Sequence, residues 1–309
     1  MKLVARISVL ALFAGLSSGL LALQRDAFQE RNNFPQRNRS QQPGGFSQWF
    51  GYPQNGVQSS YFGLPTQRYA RGGAGTPTDY NAKTEWAFGR LVYSNLSDVG
   101  PPVAHRSMRR WSEDWPYGDW HFAAGVQRLT RIDARHDDET VDLTSDELFN
   151  WPWIYGNQVG NWRLPDDQAK RLREYLLKGG FLLVDNFHGG QAWQNFMAGI
   201  RKVFPDRPIE ELQTSDEIYH TLYDIDERMQ VPGAEYELTG KTYVTYVPDG
   251  VEPHWRAIRD DQGRIMVAIC HNMHLADSWE HADDPLYPER FTSFAYRVGI
   301  DYLIYSMTH

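Results

Sequence analysis

PDDQAKRLREYLLKGGFLLVDNFHGG, residues 165–190, decides how the rest of the chain is read. Pro165 opens a helix, Ala169, Leu172 and Leu176 recur on one face of it, and Lys178 and Gly179 close it. Phe181–Val184 is then apolar at every position rather than at alternate ones, as a strand covered on both faces requires. The run ends at Asp185, Asn186, Phe187, His188 and the Gly189-Gly190 pair. A second helix follows, with Trp193, Phe196, Met197, Ile200 and Val203 turned inward. Helix, doubly buried strand and helix, joined by short connections, imply an α/β fold with a parallel sheet covered on both sides.

Working outward, the same alternation continues. Ala87–Tyr93 reads as a strand. Asp119–Ile132 reads as a helix with Phe122, Val126 and Leu129 on one face, and Trp153–Tyr155 as a short buried strand. Thr144 and Glu147 have the spacing of a capping box before Leu148 and Phe149. Downstream, Thr242–Val247 alternates like a strand. Trp255–Ile258 and Arg264–Ile269 flank Asp260-Asp261-Gln262-Gly263, a hairpin turn. Pro288–Met307 closes the chain as a helix that buries Phe291, Phe294, Val298 and Tyr302 or Leu303. There is no internal repeat.

The amino-terminal quarter has another texture. Lys2 and Arg6 precede an apolar run, Ile7–Leu23, which reads as an export signal, with an uncleaved membrane anchor as the alternative. Residues 24–77 are rich in Gln, Asn, Arg, Gly, Pro and Ser and show no sustained apolar period, so they are expected to form a disordered tether. Residues 78–309 form the expected folded body. The protein is therefore expected to be exported, periplasmic or held at the membrane by its N-terminus, with membrane contact through that segment alone.

Charge narrows the partners. The chain carries a formal −8, while the tether holds six Arg against Asp26 and Glu30, so the body is more acidic than the whole. An acidic body argues against nucleic acid, whose phosphates require a basic face. Cys270 is the only cysteine, so there is no intramolecular disulfide, and its place after an apolar run suits a buried, inert thiol.

The chemistry gathers where a second apolar run stops. RIMVAICHNMHLADSWEHADD, residues 264–284, passes from Ile265–Ile269 into His271, Asn272, His274, Asp277, Glu280, His281, Asp283 and Asp284. A buried strand ending in a polar cluster is where an α/β protein places a site. His271, His274, Asp277 and His281 could hold a divalent metal, although their spacing matches no standard signature. The plainer reading, which we favour, is that these groups anchor the loop and cap helices. Asp185, paired with His271 or Asp277, is a candidate for acid–base work, with Asp185 and Asn186 capping the helix near Gln191 as the structural alternative. Of 11 Trp, most are expected in the core, but Trp162 and Trp279 fall in expected loops, where at least one could line a pocket.

LLKGGFLLVDNFHGG, KVFPDRPIEEL, DEIYHTLYDI, CHNMHLADSWEHADDPLYPE and AYRVGIDYLIYSMTH together resemble the bacterial family of domain of unknown function 4159, over roughly residues 85–309. The resemblance implies a flavodoxin-like, class I glutamine-amidotransferase-like three-layer sandwich with a mainly parallel sheet, usually in exported proteins. It supplies no activity. True amidotransferases carry a Cys in the turn after a central strand. The comparable turn here offers Asp185, Asn186 and His188 instead, and Cys270 and His271 point to opposite faces of one strand, so glutaminase chemistry is not expected. The favoured expectation is a non-catalytic domain that binds a small polar ligand or an envelope protein through Asp185, Asn186, His188, Asn272, Trp279 and Glu280. A glycan or other polar-substrate hydrolase, metal-assisted through His271, His274 or Asp277, and a purely structural module are the alternatives.

Overall fold

The computed structural model describes residues 84–96, 110–136 and 138–309. The expected export segment and tether lie outside the described residues. Seven strands form one mixed sheet in the order β3-β1-β4-β6-β9-β8-β7. They are β1 (Gly89–Val92), β3 (Glu139–Asp142), β4 (Trp153–Asn157), β6 (Phe181–Phe187), β7 (Glu210–Glu211), β8 (His254–Arg259) and β9 (Ile265–His271). The first five in sheet order, β3 to β9, run parallel, and β8 and then β7 follow at one edge, each antiparallel to the strand before it. A two-residue strand β2 (Ser94–Asn95) pairs with β5 (Trp162–Arg163) apart from this sheet. Every residue of β4, β6 and β9 is buried, which is why their sequences are apolar without alternation.

Helices cover both faces, an α/β arrangement compatible with three layers. On one face α2 (Asp166–Leu177) and α3 (Gly189–Val203) bury Leu172, Leu176, Phe196 and Ile200 against Leu182, Val184 and Ile269. On the other, α1 (Tyr117–Leu129), α5 (Leu275–Glu280) and α6 (Glu289–Thr308) lie over the alternate side chains of the same strands. Phe122 of α1 and Trp279 of α5 approach to 4.3 Å between ring centroids, Phe88 meets both edge-on, and Trp153 of β4 stacks on Phe122. A short helix α4 (Tyr236–Thr239) sits in the long segment between β7 and β8. No helix among the described residues is long and apolar enough to cross a membrane.

Several expectations need correction. Thr242–Val247 is a series of turns, held by Val247 N–H on Val244 O at 3.0 Å, and Tyr246 is 68 % exposed. The outer edge of β8 is paired at Arg256 and Ala257 by β7 and not by this run. The capping box before Leu148 is not formed by Thr144. Ser145 Oγ accepts from Glu147 N at 3.2 Å, while the Thr144 hydroxyl donates to Asp142 Oδ1 at 2.8 Å. Trp162 and Trp279 are 1 % and 0 % exposed, both in the core. Trp162 stacks on Phe196 and Trp279 packs at a tilt against Phe122, because each loop expected to carry them is part of a strand or helix. The hairpin turn at Asp260–Gly263 forms as read, with Gly263 at φ +89° and Arg264 paired to Asp260 at 3.0 Å.

Candidate functional site

The carboxyl ends of β4, β6 and β9 meet the segment that follows β9 and the turn before α1. Asn157 ends β4, while Asp185, Asn186 and Phe187 end β6. Asn272, His274 and Asp277 follow β9, and Glu113 and Asp114 come from the turn before α1. Asp114, Asn186 and Asn272 all have left-handed backbones, with φ of 62°, 58° and 63°. Asx residues tolerate this conformation best, at a cost of about 1–2 kcal/mol each for a non-glycine residue. At Asn186 the left-handed backbone coincides with a break in the β6–β9 register between Val184 and Phe187.

His274 is the centre. Its Nε2 lies 2.8 Å from Asp114 Oδ2 and its Nδ1 3.0 Å from Asp277 Oδ2. Burial disfavours a charged imidazole, but the two carboxylates overcome it and hold His274 well above its ordinary pKa. In return, against the upward push of burial, His274 holds Asp277 well below the usual carboxylate range. Asp277 Oδ2 also accepts from Ala234 N at 2.6 Å. Asn157 Nδ2 donates to Glu113 O at 2.7 Å and to Asp114 Oδ2 at 3.2 Å. Glu113, half-buried beside Asp114, is pushed up to about 8 by burial and by that neighbouring carboxylate. Asn186 Nδ2 donates to its Oε2 at 3.4 Å.

The turn carrying Glu113 and Asp114 is fixed from below. Arg90, wholly buried on β1, donates from Nη1 to Trp111 O at 3.0 Å and to Glu113 O at 3.1 Å. Its Nε and Nη2 bind both oxygens of buried Asp119 on α1.

The sequence-derived candidates divide. Asp185 is fully buried and is not a cap for α3. Its Oδ2 accepts from Leu275 N at 2.6 Å, Ala276 N at 3.2 Å and the Tyr155 hydroxyl at 3.0 Å, so it caps α5. Burial pushes it up to about 6, against the opposing charge of His274. The first amides of α3 are held instead by Asn272 Oδ1 and Asp249 Oδ2, each at 2.8 Å. His188 Nε2 stands 3.3 Å from Asn186 Oδ1, and burial pushes its pKa down to about 3.

His271 separates from the other proposed metal ligands. It turns to the α3 side, among Phe187, Trp193 and His254, with Nε2 3.2 Å from Gly189 O, and burial pushes it down to about 4. Alternation along β9 and the left-handed Asn272 put it on the opposite side from His274, so it pairs with neither Asp185 nor Asp277. His281 does remain near Asp277, since ligand atoms of Asp277, Glu280 and His281 lie within 4.8 Å of one another. Cys270 is buried and burial pushes its thiol far up, which leaves it a poor nucleophile.

Asp114, Glu113, Asn157 and Arg90 escaped the sequence reading. Asp114 and His274 are 160 residues apart. Glu113-Asp114, in RRWSEDWP, looks like any solvated acidic pair. A polar residue ending the apolar strand WIYGN was the one available signal for Asn157. A shallow concavity lies at the other, amino-terminal end of the sheet, lined by Trp86, Arg135, Trp151 and neighbours, away from this polar set.

Residues 99–307 match the model of a family described as Domain of unknown function (DUF4159). No curated protein matches the chain.

Proposed function

The chain belongs to the DUF4159 family, and on that premise we propose that it is an exported, non-catalytic domain of flavodoxin-like, class I glutamine-amidotransferase-like fold. It binds a small polar ligand or an envelope protein partner at the carboxyl ends of β4, β6 and β9. One observation carries the reading. The residue at the left-handed bend near the end of β6 is Asn186, and the nearby imidazole of His274 has both nitrogens engaged by carboxylates. The amide of Asn186 is not a nucleophile, and His274, with neither nitrogen free, is not poised as a base, which favours polar contacts over chemistry at these two residues. Glu113, Asn186 and His188 supply the contacts. Export is supported by Lys2, Arg6 and the apolar run that follows.

The test is a thermal-shift panel of sugars, amino acids, nucleotides and short peptides on the full chain. A binder is expected to raise Tm in the wild type and to lose that effect in Asn186→Ala and His188→Ala. Hydrolysis of any panel compound by the wild type, lost in His274→Gln, would replace this reading with the hydrolase.

A further inference from the structure

An imidazole that ligates a metal through one nitrogen almost always gives its other N–H to a carboxylate or carbonyl, which fixes the ring and its tautomer. His274 already has that outer partner: Nδ1 stands 3.0 Å from Asp277 Oδ2. The same oxygen is pinned from behind by Ala234 N at 2.6 Å. Gly233 permits this close approach, since a Cβ there would lie 3.0 Å from Asp277 Oδ2 and 3.1 Å from His274 Nδ1. On the other side, Nε2 faces Asp114 Oδ2 at 2.8 Å. Two ligand atoms bound to one ion at about 2.0–2.1 Å, and about 90–110° apart, stand about 3–3.4 Å from each other. A movement of a few tenths of an ångström therefore exchanges the N–H···O bridge for N–metal–O.

An independent feature of the surroundings also points to a ligand. Asp185 is 0 % exposed and close enough to His274 to feel its charge, yet its Oδ1 has no hydrogen-bond partner. Asn157, also 0 % exposed, donates to Asp114 from Nδ2 while its Oδ1 has none. Buried polar atoms without partners cost about 1–3 kcal/mol each, and two of them beside one ion triad are not explained by loop anchoring alone.

We propose that His274 Nε2 and Asp114 bind a divalent transition-metal cation, with Asp277 orienting the ring through Nδ1. The proposal rests on the reading of this region as a binding site and names one ligand class for it. One imidazole and a hard carboxylate oxygen, with water filling the remaining positions, suit Mn²⁺ through Zn²⁺ rather than a thiolate-seeking ion. Entry of the ion breaks the Nε2–H bond and forms the Nε2–metal bond, and the proton goes to the buffer.

The test uses the full chain without a polyhistidine tag, stripped with chelator and dialysed. Zn²⁺ and Mn²⁺ are titrated calorimetrically at pH 6 in two buffers of different ionisation enthalpy, which counts protons. The expected result is one ion per chain, about one proton released per ion, and affinity at least tenfold weaker in Asp114→Asn and His274→Gln. His220→Gln, at an exposed pair with Asp224, is expected to leave binding unchanged. Wild type that takes up neither ion at about 1 mM, affinity untouched by Asp114→Asn, or binding without proton release would each overturn the proposal. Should the variants not fold, Co²⁺ on the wild type decides. Intensified visible bands of an imidazole-ligated ion support the site, and the spectrum of the aqueous ion overturns it. If no metal binds but a polar ligand still depends on Asn186 and His188, the cation alone is refuted. If that dependence is lost too, the binding reading falls with it.

Discussion

Two buried charge clusters lie under one sheet end, and they are built to different ends. Around Arg90, Nε and both Nη groups have partners: two oxygens of Asp119 and the carbonyls of Trp111 and Glu113. Both side chains are 0 % exposed, and the pair couples β1 to α1. Around His274 the ring is equally engaged, but the groups beside it are not: Asp185 Oδ1 and Asn157 Oδ1 have no partner. The two clusters meet at Glu113, whose carbonyl takes donors from both Arg90 and Asn157. The closed cluster is a strut, and the incompletely satisfied one is where a ligand has something to gain.

Breaking the strut should cost most. Arg90→Met leaves Asp119 buried without its counter-charge and is expected to destabilise by about 3–5 kcal/mol in urea unfolding. Arg90→Met with Asp119→Leu should recover much of that. A loss below about 1 kcal/mol in the single variant would mean that the two clusters do not differ in kind.

Next comes His274→Gln, expected to cost about 2–3 kcal/mol near pH 5–6, since two carboxylates lose their shared cation. The pH window follows from the shifts. His274 is raised, so its contribution is complete below its unfolded value of about 6.5 and is lost as pH climbs through the folded one. Asp277 is lowered, so its contribution is present above about 3.8 and is lost as pH falls towards the folded value. The difference between wild type and variant should therefore peak between these limits. A difference independent of pH would remove the ion triad from the account.

Glu113→Gln should act in the opposite sense. A carboxyl raised to about 8 makes the folded state lose stability as pH rises from about 4.5 to 8. The amide should relieve about 1–2 kcal/mol at pH 8–9, after allowance for the solvent that reaches this half-buried group, and change little at pH 4. Smallest is Asp185→Asn, which weakens the cap on α5. About 1 kcal/mol is expected, visible as faster hydrogen exchange at the amides of Leu275 and Ala276. Unchanged exchange there would return Asp185 to the list of candidate bases.

The elements that sequence made legible are those whose burial is nearly uniform. β6, β9, α2, α3 and α6 carry runs or faces apolar enough to be read without a partner in view. The strand expected at Thr242–Val247 shows the limit of this, because alternation says that a strand could form and not that an edge awaits it. For the site, His274 and Asp277 were legible because they sit just past a buried strand. His271 shared that position, but a local string of ligand types does not say which side of the sheet each one faces. Glu113 and Asp114 were illegible for the reverse reason: their importance comes from what Arg90, Asn157 and His274 do to them, and each of those contacts crosses at least 23 residues.

That long span has a consequence for how the protein comes into being. Asp114 and His274 touch across 160 residues, with most of the sheet between them in sequence. Contacts of such separation reward the chain only after the intervening loop has closed, so they form late. Until β9 has docked beside β6, Asp114 and Glu113 are an unneutralised acidic turn and His274 an ordinary imidazole. The pairing thus marks a completed fold. A probe of that single contact, such as the elevated titration of His274, would separate finished molecules from compact unfinished ones that already have their helices.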